Sequence, residues 1–184
     1  MLLAFVAFLQ LLNCAAYLNV HRGSTLRRAT PRSHLSMVNV GDVAPDFKLT
    51  DQNGQSVSLS SFKGKKDVVL FFYPKDDTPG CTAECDLFDK AADEFSKLNA
   101  KILGVSSDED HTEFVSKYGF QLTLLSDVGG NVRQTYKVPK AMMGFLDGRV
   151  TYIIGKDGKV KSVYENMMEP AKHVEEARKV LGQK

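Results

Sequence analysis

The sequence predicts an α/β domain in which helices flank a central mixed β-sheet. Hydrophobic residues make up 43% of the 184-residue chain and charged residues 25%, the balance of a soluble globular domain. Short apolar runs alternate along the chain with amphipathic stretches at helical spacing. This order ends in an antiparallel hairpin and a closing helix, which makes the predicted sheet mixed and covers both of its faces.

The first elements of the domain are a hairpin and a central strand. Residues 40–59 predict an N-terminal hairpin extension, because apolar and polar residues alternate on both sides of a turn at 51–54. The apolar run 68–73 stops at Pro74 and predicts a buried central strand. A helix follows, with Thr78 as its N-cap, Pro79 in its first position and apolar residues at helical spacing as far as Leu98.

The later elements carry similar signals. We predict further strands over 101–107, 122–125, 150–154 and 160–164, and helices over 109–118, 131–136 and 170–181. Gly119 ends the first of these helices, and Pro170 opens the last one. Arg133 lies on the polar stretch of the short middle helix, so we predict that its side chain is solvated.

The first 37 residues predict a targeting leader, and the domain is predicted to span 38–184. Residues 1–16 are apolar, too few to cross a bilayer stably, and end in small residues, as a signal peptide does. Residues 17–37 contain four arginines and no acidic residue, which is typical of an organellar transit peptide. The two segments together resemble the bipartite leader of proteins imported into plastids of secondary endosymbiotic origin. Secretion with a basic linker is the alternative.

The charge of the domain argues against nucleic acid binding, and its cysteine count favours redox chemistry. All acidic residues follow position 41, so the chain without its leader is slightly acidic and lacks the positive field that nucleic acid binding requires. We predict no membrane association for the mature form. Cys14 belongs to the predicted signal segment, which leaves Cys81 and Cys85 as the thiols of the domain. Their spacing suits redox chemistry better than a disulfide scaffold.

Cys81 falls at the third position of the predicted helix. Unpaired amides and the helix dipole favour negative charge there, so its thiol should ionise readily and act as a nucleophile. Inert buried thiols are the alternative. We predict neither a cofactor nor a metal, because two cysteines four residues apart with distant His111 and His173 give no tetrahedral ligand set.

The segment FFYPKDDTPGCTAE resembles the active-site segment of peroxiredoxins, in particular the peroxiredoxin Q or bacterioferritin-comigratory-protein subfamily. The subfamily's mark is matched by Pro74, Thr78 and Cys81. The stretches VGDVAPDF, LLSD and GRVTYII extend the similarity over most of residues 38–184. The resemblance implies a thioredoxin-like fold, a monomer, and reduction of hydrogen peroxide and organic hydroperoxides by thiols. It also implies thioredoxin or a similar dithiol as reductant.

The resemblance also implies roles for individual residues. Cys81 would be the peroxidatic cysteine that becomes a sulfenic acid. Thr78 would hydrogen-bond the thiolate and the peroxide, Arg149 would stabilise the developing charge, and Pro74 would exclude water. The amides of Gly80 and Cys81 are natural donors to the peroxide, and Glu84 is a further candidate for substrate binding.

The second cysteine departs from the subfamily pattern. A resolving cysteine in this helix usually follows the peroxidatic one by five positions, which is Asp86 here, whereas the thiol is Cys85. Residues four apart on a helix have Cβ atoms about 5 to 6 Å apart. A disulfide needs about 3.5 to 4.5 Å, so we predict that the first turn unwinds before Cys81 and Cys85 can join. A thiol-disulfide oxidoreductase and a peroxide-sensing switch are the alternative functions.

Overall fold

The computed structural model describes residues 37–182. Apart from Met37, the predicted leader lies outside these residues. No helix within 37–182 is long and apolar enough to cross a membrane.

Residues 37–182 contain strands and α-helices in the alternating order that the sequence predicts. The strands are β1 (Lys48–Asp51), β2 (Ser56–Ser58), β3 (Asp67–Phe72), β4 (Ala100–Ser106), β5 (Thr123–Ser126), β6 (Lys140–Ala141), β7 (Leu146–Asp147), β8 (Val150–Ile154) and β9 (Val160–Glu165). The helices are α1 (Pro79–Lys90), α2 (Ala92–Lys97), α3 (Thr112–Tyr118), α4 (Asn131–Thr135) and α5 (Pro170–Gly182).

The main sheet has seven strands in the order β2-β1-β5-β4-β3-β8-β9. Strand β3 runs parallel to β4, and β4 runs parallel to β5, as crossover helices require. Strand β8 joins the other side of β3 in antiparallel fashion and pairs with β9 as a hairpin. The predicted mixed sheet is therefore confirmed. The N-terminal hairpin is confirmed as well, since Leu49 pairs with Val57 and β1 adds to the β5 edge.

Strand β3 lies at the centre of the sheet and separates two apolar cores. All six of its residues are buried, and alternate side chains point to opposite faces. Val69, Phe71 and the following Tyr73 face a core closed by α1, α2, α3 and α5. Leu70 and Phe72 face a second core beside Tyr136 and Tyr152. The crossover from β3 places the start of α1 at the carboxyl end of the strand, where α/β sheets hold their sites.

The predicted elements differ from the structure mainly at helix boundaries. The apolar run predicted as one helix is divided at Ala91 into α1 and α2. Helix α3 begins at Thr112, because the Asp110 carboxylate accepts a hydrogen bond from the Thr112 amide at 2.8 Å. The small sheet of β6 and β7, which leads directly into the Arg149 region, was not predicted, because strands of two residues carry no periodic signal.

Candidate active site

The loop between β3 and α1 is held against α3. The Asp77 backbone has a φ of 55°, and its carboxylate accepts hydrogen bonds from Lys117 Nζ at 2.6 Å and Tyr118 Oη at 2.6 Å. Pro74, at the start of this loop, is buried. These contacts fix the direction in which the chain enters α1, and therefore the position of Cys81.

The first turn of α1 presents unpaired amides. Among residues 37–182, no acceptor bonds the N–H groups of Gly80 or Cys81, whereas the Thr82 amide donates to Thr78 O at 2.8 Å. Thr78 is the N-cap residue, as predicted, but its side chain makes no capping hydrogen bond. Its hydroxyl donates instead to Lys75 O at 3.2 Å, which leaves the helix amides free for a ligand.

Arg149 reaches Cys81 from the position immediately before β8. It is buried, and its Nη2 lies 3.5 Å from Cys81 Sγ. Its Nη1 donates to Glu84 Oε2, and its Nε donates to Met167 O at 3.4 Å. A Cβ added to Gly80 would lie 3.2 Å from Arg149 Nη2, so the glycine leaves room for the guanidinium.

Glu84 lies behind Arg149 in a fully buried position. One carboxylate oxygen pairs with Arg149, and the other, Oε1, has no hydrogen-bond partner within the described chain. Burial raises the pKa of Glu84 to about 8, although Arg149 acts in the opposite direction. His173 Nδ1 lies 3.7 Å from the unpaired Oε1.

His173 lies near the cysteines, although the two are far apart in the sequence and no motif links them. His173 is buried on the apolar face of α5 with Val174 and Ala177, and an imidazole on such a face was the one available signal. Its Nδ1 lies 2.8 Å from Thr151 Oγ1, and its Nε2 donates to Asn166 O at 2.8 Å. Burial lowers its pKa to about 4, so the ring is neutral at neutral pH.

Cys85 is fully buried one turn beyond Cys81, and both are free thiols. Burial raises the pKa of the Cys85 thiol well above its ordinary value, and the neighbouring acids Glu84, Cys81 and Asp76 raise it further. Both cysteines belong to the unbroken helix α1. Because the Cβ atoms of such a pair are about 5 to 6 Å apart, the folded helix keeps the sulfurs from bonding.

A second buried polar group lies on the Cys85 side. Tyr73 Oη donates to Asp76 Oδ1 at 2.7 Å, and His111 Nδ1 lies 2.7 Å from Asp76 Oδ2. Burial opposes the charged imidazolium, but the hydrogen bond and charge of Asp76, together with the Leu125 backbone and Asp108, outweigh it and raise the pKa of His111. The sequence did not predict this group, because Tyr73 and His111 come from different crossovers.

The prediction that the Arg133 side chain is solvated is wrong. It is buried, not solvated, and donates to Tyr73 O at 2.6 Å and to Gly148 O at 2.9 Å. The Asp127 carboxylate accepts hydrogen bonds from the backbone amides of Val132 and Arg133, in the first turn of α4. These bonds orient Arg133 towards the sheet. The guanidinium thus ties the carboxyl end of β3 to the segment that carries Arg149. Residues 37–182 contain no group of three or more His, Cys, Asp or Glu side chains that could hold a metal ion.

The arrangement suits a thiol that reacts as a thiolate. Cys81 lies beside a guanidinium and two unpaired amides, which can stabilise a sulfur anion and a negative charge forming on an attacked oxygen. A second thiol lies in the same helix but cannot reach the first without a change in the backbone.

Comparisons with known proteins agree with this chemistry. Residues 40–163 match the model of the AhpC/TSA family. Peroxiredoxin Q from Sedum lineare, described as chloroplastic, is 45% identical over 151 residues, which are 81% of this chain and 81% of the relative.

Two crystal structures are similar in fold as well as sequence. Peroxidoxin BcpB from Mycobacterium tuberculosis has a TM-score of 0.72 and 35% identity, covering 79% of this chain and 97% of that one. The bacterioferritin comigratory protein of Xanthomonas campestris, studied for alkyl peroxide reduction, has a TM-score of 0.67 and 32% identity, covering 78% and 98%. Fold, site and sequence agree, and the chain therefore belongs to the AhpC/TSA family of peroxiredoxins, in its peroxiredoxin Q branch.

Proposed function

We propose that the chain is a thiol peroxidase in which Cys81 attacks the peroxide and Cys85 resolves the product. The observation that carries this assignment is the position of Cys81 Sγ, 3.5 Å from Arg149 Nη2 and at the unpaired N-terminus of α1. Hydrogen peroxide and organic hydroperoxides are the substrates, in keeping with the alkyl peroxide reduction named for the Xanthomonas relative.

In the first step, the Cys81 thiolate attacks one peroxide oxygen and the O–O bond breaks. Cys81 becomes a sulfenic acid, and the second oxygen leaves as an alkoxide or hydroxide that takes up a proton. Arg149 and the amides of Gly80 and Cys81 stabilise the negative charge on the leaving oxygen. Following the resemblance, we assign Thr78 to orienting the peroxide, for which its hydroxyl must leave Lys75 O, and Pro74 to excluding water.

In the second step, the first turn of α1 opens and the Cys85 thiol condenses with the sulfenic acid. A disulfide forms between Cys81 and Cys85, and water leaves with the sulfenic oxygen. Opening also removes Cys85 from the buried position that raises its pKa, so the thiolate forms more readily in the opened helix. Glu84 does not reach the peroxide in this scheme and acts through Arg149.

A thioredoxin-type dithiol completes the cycle by reducing the disulfide. We propose further that the enzyme works as a monomer, because both cysteines and Arg149 come from the same chain.

The test is steady-state consumption of hydrogen peroxide with thioredoxin, thioredoxin reductase and NADPH. The full chain, C81S and C85S are compared, with C14S as the matched control for loss of a thiol outside the site. Loss of turnover in C81S and C85S, with C14S unchanged, is the expected result. Loss in C81S alone would overturn the resolving role of Cys85, and a single equivalent consumed by the unsubstituted chain would indicate a sensor. Exchange with protein disulfides but no peroxide consumption would indicate an oxidoreductase.

We also propose that residues 1–37 direct the protein to a plastid through a signal-like and a transit-like segment. Plastid relatives and the composition of these residues support the proposal. A fluorescent protein fused behind residues 1–37 should reach the plastid, and one fused behind 1–16 alone should be secreted. Plastid delivery by 17–37 alone would contradict the two-part leader.

A further inference from the structure

Arg149 is in contact with two acids at once. Its Nη1 bonds the Glu84 carboxyl and its Nη2 lies 3.5 Å from the Cys81 sulfur. The exposed fractions of Arg149, Glu84 and Cys81 are 3%, 0% and 1%. A buried set with one cation and two anions would carry an uncompensated negative charge, which is costly away from water. One proton shared between the two acids makes the set neutral.

The surroundings of Glu84 offer a place for that proton. Glu84 Oε1 has no donor among residues 37–182, and it faces His173 Nδ1 at 3.7 Å. The Asn166 carbonyl can only accept, so His173 Nε2 carries the ring hydrogen and Nδ1 presents a lone pair. Two acceptors therefore face each other, and a proton on Oε1 turns this contact into a hydrogen bond. Thr151 Oγ1 lies 2.8 Å from Nδ1 and is the other hydrogen-bond donor within its reach.

Building on the function proposed above, we propose that Glu84 takes the proton of Cys81 in the reactive state and that His173 positions the protonated carboxyl. Both are positioning residues that act through Arg149. The transfer converts a thiol and a carboxylate into a thiolate and a carboxylic acid, with no change in total charge. When the thiolate is consumed by peroxide, Cys81 becomes a neutral sulfenic acid. Glu84 then gives up its proton, which balances the one taken by the leaving oxygen, and its carboxylate pairs with Arg149.

The pKa directions of the two groups agree with this placement. Burial raises the pKa of Glu84 to about 8 and lowers that of His173 to about 4. At neutral pH a proton between them therefore belongs to the carboxyl.

Infrared difference spectroscopy of the full chain tests the proposal. Reduced protein should show the C=O band of a protonated carboxyl at pH 7, and alkylation of Cys81 with iodoacetamide should remove it, because the sulfur is then neutral. The band should be absent from E84Q. Alkylation replaces peroxide here, so the result does not depend on peroxidase activity. A reduced protein with no such band, or a band that survives alkylation or is retained in E84Q, would overturn the proposal.

The pH dependence of Cys81 alkylation gives a second, independent readout. E84Q imitates the protonated carboxyl of the reactive state, so it should leave the midpoint of alkylation within about 0.3 pH unit of that of the unsubstituted chain. H173F removes the acceptor and should shift the midpoint upwards, whereas E84Q combined with H173F should match E84Q alone. A fall of about one pH unit or more in E84Q would show that Glu84 is ionised beside Cys81 in the unsubstituted chain, and an upward shift would show that it acts as an ionised anchor of Arg149. Either result would overturn the proposal. A shift in the double variant equal to that of H173F would show that His173 acts independently of Glu84. Thermal melts identify any variant that is unfolded. In that case the carboxyl C=O band of the unsubstituted protein, and its loss on alkylation, decide whether the proposal holds.

Discussion

Cys81 and Cys85 are one helical turn apart, yet their surroundings have opposite polarity. Cys81 has the Arg149 guanidinium and the free amides of α1 beside it, which favour a sulfur anion. Cys85 is fully buried beside the acids Glu84 and Asp76, and its pKa is raised. A single turn of helix therefore separates a thiol that can react as a thiolate from one that burial keeps protonated. Cys85 becomes reactive only when the first turn of α1 opens.

The largest expected difference between Cys81 and Cys85 is in the rate of peroxide reduction in a single turnover. C81S should lower the rate of peroxide reduction by about 10³-fold or more, because the nucleophile is lost. C85S should retain the first step, so one equivalent of peroxide is consumed at the rate of the unsubstituted chain. Rapid mixing with limiting hydrogen peroxide measures both. Slow first steps in both variants would remove the asymmetry between the two thiols.

The next largest effect concerns Arg149. R149K keeps the positive charge but cannot contact Cys81, Glu84 and Met167 O at the same time, so peroxide reduction should slow by about 10²-fold. R178K is the matched control, because Arg178 pairs with Glu94 on the surface. Equal rates in R149K and R178K would mean that charge alone, not the guanidinium geometry, supports Cys81.

A smaller effect is expected from the glycine beside Arg149. G80A places a Cβ 3.2 Å from Arg149 Nη2, so the guanidinium must shift by a few tenths of an ångström. We expect a loss of about threefold to tenfold in peroxide reduction, with little change in thermal stability. G104A is the opposite case, because its Cβ would lie 2.6 Å from Phe71 Cζ in the core. It should destabilise the fold by about 1 to 3 kcal/mol without a specific effect on the chemistry.

The smallest effect is a pH dependence of stability. The pKa of Glu84 is raised from 4.5 to about 8, so the folded state holds a proton that the unfolded state has lost, and stability falls as pH rises through this window. His173, lowered from 6.5 to about 4, acts in the opposite direction between those values. The two effects oppose each other below about pH 6.5, so the Glu84 contribution declines alone from about pH 6.5 to 8. Because the proposed transfer draws the Glu84 proton from Cys81, this decline is measured as a difference from E84Q and not from the unsubstituted chain by itself.

Thermal melts of the unsubstituted chain and E84Q across pH 5 to 9 measure this decline. The midpoint of the unsubstituted chain should fall relative to E84Q by a few degrees between about pH 6.5 and 8. Parallel curves for the two proteins would show that Glu84 is ionised in the folded state throughout this range.

The sequence predicted the fold well because its signals are local. The apolar run before Pro74 and the Thr78-Pro79 start of α1 each lie within a few residues, and both elements form where expected. Strand β8 matches its predicted bounds, because β-branched and aromatic residues fill it.

The parts of the site that were missed depend on distant contacts. Arg133 looked solvated because its helix is polar, but the fold turns it onto three backbone carbonyls of neighbouring segments. His173 reaches Glu84 only because α5 packs against α1. The residue pattern within one helix or strand cannot predict a contact between side chains of two different elements. Arg149 was identified as a site residue only through the resemblance to peroxiredoxins. Its neighbours in the sequence are those of an ordinary turn, so no local pattern marks it.

Peptide mapping after one equivalent of hydrogen peroxide, in the absence of reductant, shows directly whether Cys85 resolves the oxidised Cys81. The oxidised chain is trapped with an alkylating agent, digested and analysed by mass spectrometry, together with amide hydrogen exchange over α1. We expect a Cys81–Cys85 disulfide within one peptide and faster exchange in the first turns of α1. A Cys81 sulfenic acid that persists beside an unmodified Cys85, with α1 still protected, would contradict it.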